Sequence, residues 1–143
     1  MIPPRLHGVL DYAAAASLVA LPRFLGWPAR LRRPLDAAAA VTVGYSLCTD
    51  YELGAVCLLP MRTHLALDAL QGTAFCIAAA ALPEERRVRG LLAGYGAFCL
   101  AAAALTDTGR PRTARLGTGP SRFGWWKPAP TAEERRRMVT EAI

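Results

Sequence analysis

The chain has 143 residues, a net charge of +6 and 53% apolar residues. That is enough for one domain and too apolar for a disordered, charge-rich chain. The charge is unevenly placed: residues 1–107 hold nine arginines against eight acidic residues, whereas residues 108–143 hold eight lysines and arginines against three glutamates. The basicity therefore belongs to the tail, and the body lacks the basic stripe that nucleic-acid binding requires. The cysteines Cys48, Cys57, Cys76 and Cys99 form no C-x-x-C pair and stand in apolar surroundings, where cysteine serves as a small hydrophobe. The N-terminus does not read as a secretion signal, because His7 and Asp11 interrupt the apolar run such a signal needs.

In chain order, the apolar residues gather in four blocks of about 20 residues, the length that crosses a hydrocarbon core of about 30 Å. The first helix is expected from Pro4, a residue suited to a first helical turn, to about Trp27. A basic loop follows, with Arg30, Arg32 and Arg33 closed by Pro34. The second helix runs from about Leu35 to Tyr51, with Gly54 just beyond its end. The third runs from about Pro60 to Leu82. A charged loop, Glu84 to Arg89, leads to the fourth, Gly90 to about Asp107. Each helix holds a run of alanines, and Gly44, Gly72, Gly90, Gly94 and Gly96 add small surface, so close helix packing is expected, with Gly90 and Gly94 as a small-xxx-small pair. Residues 108–143 form a polar basic tail, expected to be largely disordered. A short helix near 131–140 is capped by Thr131 with Glu134 three residues on. Trp125, Trp126 and Lys127 have the chemistry of a lipid interface.

The polar residues repeat. At an offset of 57, Arg5 falls on Arg62, His7 on His64, Asp11 on Asp68, and Thr49-Asp50 on Thr106-Asp107. This pattern predicts a duplicated helical hairpin, with repeat one at 1–57 and repeat two at 58–107. Each repeat crosses an even number of times, so the copies share one orientation about an axis along the membrane normal. The fold class that follows is all-α: a four-transmembrane-helix bundle built from two tandem helical-hairpin repeats. In such a bundle the starts of helices one and three and the ends of helices two and four lie on one side. The arginines in the two hairpin loops and those in the tail lie on opposite sides, so the positive-inside rule pulls both ways.

His7-Gly8-x-x-Asp11-Tyr12, Thr49-Asp50-Tyr51-Glu52-Leu53-Gly54 and Leu59-Pro60-Met61-x-x-His64-Leu65-x-Leu67-Asp68 resemble the SPW repeat family of small bacterial membrane proteins. The resemblance covers roughly residues 1–107. It implies a multi-pass protein of the bacterial inner membrane and brings no catalytic residues with it. The Ser-Pro-Trp that names the family is reduced here to Leu21-Pro22-Arg23 and Leu82-Pro83-Glu84, and Trp27 stands in as an interface anchor.

Ionisable residues inside a membrane raise a functional question by default. The candidate polar cluster is Arg5, His7, Asp11, Thr49, Asp50, Glu52, Arg62, His64, Asp68, Thr106 and Asp107. Asp50 and Asp107 sit at helix C-termini, where negative charge is disfavoured, so Arg5 and Arg62 are expected to pair with them. His7 and His64 are expected to bond Asp11 and Asp68 or a neighbouring helix. The first reading of this cluster is a structural lock or interaction module. The alternative is ion or proton handling: histidine with carboxylates suits a divalent metal and a proton relay. No cofactor is demanded by any motif; a divalent metal stays open, with His7, Asp11, His64 and Asp68 as candidate ligands. A nucleophile–base pair, a phosphate loop and an H-E-x-x-H signature are all missing, which argues against an enzyme. The partners implied are the lipid bilayer and either a second copy or another membrane protein, with no nucleic acid.

Overall fold

The computed structural model describes residues 1–108, so the tail, with the helix expected near 131–140, the Thr131 cap and the Trp125-Trp126-Lys127 segment, lies outside the described residues. Among the described residues the protein is all-α, with four helices: α1 (Pro4–Phe24), α2 (Ala29–Leu47), α3 (Met61–Ala81) and α4 (Arg86–Leu105). α1 packs along α2 and α3 along α4, giving two hairpins. The hairpins meet through a core of Ala15, Leu18, Leu35 and Ala39 from the first and Phe75, Ala79, Val88 and Leu92 from the second.

The element bounds follow the 57-residue offset. α3 occupies the positions of α1 moved by that offset, and α2 and α4 begin at Ala29 and Arg86, the same distance apart. Pro3 and Pro60 sit at matching N-caps with extended backbone. Two helices begin earlier than expected. α2 starts at Ala29 and not Leu35, and α4 at Arg86 and not Gly90. Alanine, leucine and arginine are strong helix formers, and the extended Pro28 and Glu85 launch the first turn directly. The arginines expected in loops therefore form helical first turns. Pro34 is carried inside α2 near its start.

The chain ends of the hairpins are stitched by matching backbone bonds. Ile2 N–H donates to Leu105 O (2.8 Å) and Asp107 N–H to Ile2 O (3.0 Å). Their counterparts one repeat on are Leu59 N–H to Cys48 O (2.8 Å) and Asp50 N–H to Leu59 O (2.8 Å). Each repeat thus ends against the beginning of the other, and the starts of α1 and α3 lie beside the ends of α4 and α2.

α3 and α4 are long and apolar enough to cross a membrane, with mean hydropathies of 1.2 and 1.6. α1 and α2 have 21 and 19 residues, but their composition is diluted by Arg5, His7, Asp11 and Arg23 in the one and Arg30, Arg32, Arg33 and Asp36 in the other. All four helices expose large apolar side chains, among them Val9, Val41, Leu70, Ile77 and Phe98.

The small residues divide into two groups. A Cβ on Gly96 would stand 2.7 Å from Gly72 O and 2.6 Å from Cys76 Sγ, and one on Gly72 would stand 2.8 Å from Gly96 O. This is where α3 and α4 touch backbone to backbone. Gly44, Gly90 and Gly94 have nothing within 4 Å of such a Cβ, so the expected Gly90–Gly94 packing pair is not part of the described helix contacts. Gly96→Ala is expected to lower the thermal midpoint in detergent, by about 1–3 kcal/mol of overpacking, whereas Gly94→Ala leaves it unchanged or raises it. Equal effects would place the helix contact elsewhere.

Candidate metal centre

His7 and Asp11 on α1, and His64 and Asp68 on α3, stand four residues apart, so each pair shares one helix face. Because α1 and α3 enter from the same side, the two faces meet. His7 and His64 are fully buried, and Asp11 and Asp68 are 6% and 4% exposed. The two Nε2 atoms lie 3.1 Å apart. His7 Nε2 is 2.9 Å from Asp68 Oδ2 and 3.4 Å from Asp11 Oδ1. His64 Nε2 is 3.0 Å from Asp11 Oδ2 and 3.3 Å from Asp68 Oδ2. The shorter contact in each case crosses between repeats. One ligand atom from each of the four residues fits within 4.8 Å of the others.

The outer nitrogens fix the inner ones. Thr106 Oγ1 lies 2.8 Å from His7 Nδ1, and Thr49 Oγ1 lies 2.8 Å from His64 Nδ1. Each threonine also stands one turn beyond a backbone carbonyl: Thr106 Oγ1 is 2.6 Å from Ala102 O, and Thr49 Oγ1 is 2.7 Å from Tyr45 O. A carbonyl only accepts, so the single hydroxyl proton goes to it. The hydroxyl oxygen must then accept from Nδ1–H. That assignment leaves both Nε2 atoms as lone-pair acceptors when the rings are neutral. Two Nε2 atoms and two carboxylates therefore converge, and all four are acceptors.

The surroundings break the symmetry. Tyr45 OH donates to Asp68 Oδ1, and Ser46 Oγ donates to Asp11 Oδ2 at 3.3 Å; the residues at the matching positions of repeat two are Ala102 and Ala103. Tyr51 lies over Gly8, where a Cβ would stand 2.1 Å from its ring, and its ring centroid is 5.7 Å from that of His64. Burial pushes the Tyr51 phenol above its ordinary pKa. Deeper in the protein, Gln71 Nε2 donates to Thr42 Oγ1 (2.9 Å) and to Tyr95 OH (3.2 Å). A void of about 10 Å³ lies between this layer and the two aspartates, close to the volume one water needs.

Of the residues singled out in the sequence, His7, Asp11, Thr49, His64, Asp68 and Thr106 come together. Arg5 and Arg62 are exposed and outside the buried cluster, as is Asp107, while Asp50 and Glu52 are half-buried in the ends and turns around it. The ion pairs inside the buried cluster join histidine to aspartate. Tyr45, Ser46 and Gln71 also belong to the site. Tyr45 lies one helical turn before Thr49 and Gln71 three residues after Asp68, which puts both on the faces that carry the cluster.

No family model, curated protein or solved structure matches this chain.

Thr49→Val keeps the shape but leaves the buried His64 Nδ1–H without its acceptor, which costs about 1–3 kcal/mol. Thr106→Val is expected to cost the same at His7, because the two threonines make matching contacts. Thermal unfolding in detergent measures both. A large loss in one variant and none in the other would show that the two halves are not equivalent.

Proposed function

We propose that this chain is a small multi-pass membrane protein, of the bacterial inner membrane, that binds one divalent transition metal ion between its two hairpins. The ion is zinc by its donor set. Its role is to lock the hairpins together at one membrane side, and the resemblance to SPW repeat proteins extends no further than this architecture.

The convergence of four acceptors carries the reading. Facing lone pairs and carboxylates repel unless a cation lies among them. A divalent ion neutralises two aspartates while both imidazoles stay neutral, so the net charge of the buried site becomes zero. Two protons would neutralise it as well, but they would put two imidazolium N–H groups head to head across 3.1 Å. Uncompensated buried charge is costly, so the divalent ion is the better solution. A tetrahedral zinc with ligands at about 2.0–2.2 Å spaces its donors about 3.3–3.6 Å apart; the histidine–aspartate contacts within each repeat, 3.4 and 3.3 Å, have that spacing, and the closer ones at 2.9–3.1 Å open by a few tenths of an ångström to admit the ion. The threonines behind the histidines are the outer partners that orient metal-binding imidazoles. A void of one-water size beside the carboxylates admits no substrate, which favours a structural ion over a reactive one.

The membrane reading is supported by the two apolar helices and by the apolar side chains exposed on all four. On this reading α1 and α2 cross too, with their charges at the helix ends or inside the protein.

Elemental analysis of the full chain in mild detergent is expected to find one metal ion per chain, and none in His64→Ala. A chelator is expected to lower the thermal midpoint of the wild type and leave that of His64→Ala in place. Metal-free protein from metal-supplemented cells, with a midpoint insensitive to chelator, would overturn the proposal. Protons and metal compete for Nε2, so the ion should be retained at neutral pH and released as pH falls through and below the ordinary imidazole range near about 6.5. Membranes washed with alkaline carbonate should keep the protein in the pellet.

A further inference from the structure

The far end of the protein, where the two short loops turn, carries a different site. Between the hairpins there opens a cleft of about 290 Å³ walled by Leu31, Leu35, Phe75, Val88 and Leu92, with Trp27 at the loop end. Its inner end is Gln71, whose amide is already bonded to Thr42 and Tyr95. Among the positions where the repeats differ, one pair sets an aromatic ring against a methyl group. In repeat two Tyr95 meets Phe75 edge to face, 4.7 Å between centroids. The matching residue of repeat one, 57 positions earlier, is Ala38, and it lines the cleft.

The surface around the loop end is cationic. Arg23, Arg30, Arg32, Arg33, Arg86, Arg87 and Arg89 stand there against Asp36, Glu84 and Glu85. Two of the arginines are in ion pairs, Arg23 with Asp36 and Arg30 with Glu84. The Arg30–Glu84 pair joins the two hairpins at this end. Arg33, Arg86 and Arg87 are exposed. The repeat also shows a polar group left over. Arg89 Nε donates to Ala79 O at 2.8 Å, but Arg32, its counterpart, has a buried Nε with no acceptor among the described residues.

The lining residues Leu31 and Val88 each stand between arginines in the chain, so an apolar cleft adjoins cationic loop ends, which suits an amphiphile with an anionic head. We infer that the cleft holds one hydrocarbon tail of an anionic phospholipid, with the headgroup phosphate held by the arginines of the two loop ends. This rests on the membrane reading above and is independent of the metal. Ligand sites run from about 300 to 1,000 Å³, and this cleft, at the lower limit, has room for no more than one tail. Tryptophan and arginine at its mouth sit at headgroup level. Each arginine near an anionic lipid surface favours binding roughly fivefold.

The full-length protein, exchanged into detergent and supplied in turn with phosphatidylglycerol, phosphatidylcholine and soluble glycerol phosphate, tests the inference by native mass spectrometry and thermal midpoint. One phosphatidylglycerol per chain is expected to be retained and to raise the midpoint, with phosphatidylcholine retained on the order of a hundredfold less well when three arginines face the headgroup. Glycerol phosphate should do neither. Ala38→Phe fills the cleft with a ring like that of its counterpart Tyr95, and should fold and lose the lipid. Arg33→Gln with Arg86→Gln should weaken retention on the order of 25-fold without changing the midpoint in detergent alone. Equal retention of both lipids, undiminished binding in Ala38→Phe, or stabilisation by glycerol phosphate would each overturn the inference. Release from membranes by carbonate would instead defeat the membrane reading on which it rests.

Discussion

Two imidazole Nε2 atoms and two carboxylates converging in one buried space are the constraint on which the rest of this protein depends. Neither repeat can build that arrangement alone, since each contributes one histidine and one aspartate. The shorter histidine–aspartate contacts run between the repeats. The backbone stitches between Ile2 and Thr106 and between Thr49 and Leu59 bring the threonine of one repeat to the histidine of the other. The cluster is therefore a device of the pair, and it holds α1 to α3, elements that share little of the apolar packing found within each hairpin.

Where the two repeats agree, they build the buried cluster; where they differ, they set its surroundings apart. The histidines, aspartates, threonines and the prolines that start α1 and α3 are shared at one offset. Tyr45 against Ala102 gives Asp68 a phenol partner, while Asp11 accepts from the Ser46 hydroxyl at longer range. Tyr95 against Ala38 fills one side of the interior and leaves a cleft on the other. Duplicated proteins can keep the symmetric positions for the site that needs both halves, while the asymmetric positions drift towards a second use.

Much of this was legible in the chain. The offset of 57 could be read from Arg5, His7, Asp11, Thr49 and Asp50 and their counterparts, and it placed both histidines on one side. The i, i+4 spacing placed each histidine with its aspartate. Exposure was less legible: charge weighed by depth along the helix puts Arg5 and Arg62 at the level of the cluster, and depth does not say which residues are buried; both arginines are exposed. The early starts of α2 and α4 were missed because an arginine run was taken as a loop, although arginine favours helix once a turn is launched. Gly90 and Gly94 matched a packing motif by spacing alone, and the described contact is made by Gly72 and Gly96.

The sequence by itself determined the helical class, the repeated hairpin and a set of eleven polar residues at one end, within which six meet. Periodicity, proline placement and a fixed offset are one-dimensional facts, and backbone geometry converts them into faces and levels without further information. Only the tertiary structure decided that the shorter bonds cross between repeats, that threonine hydroxyls hold both imidazoles with Nε2 inward, and that a cleft opens beside Ala38. Those depend on distances of a few tenths of an ångström between helices that are remote in the chain. Such distances are set by how all the side chains pack together, and no local pattern encodes them.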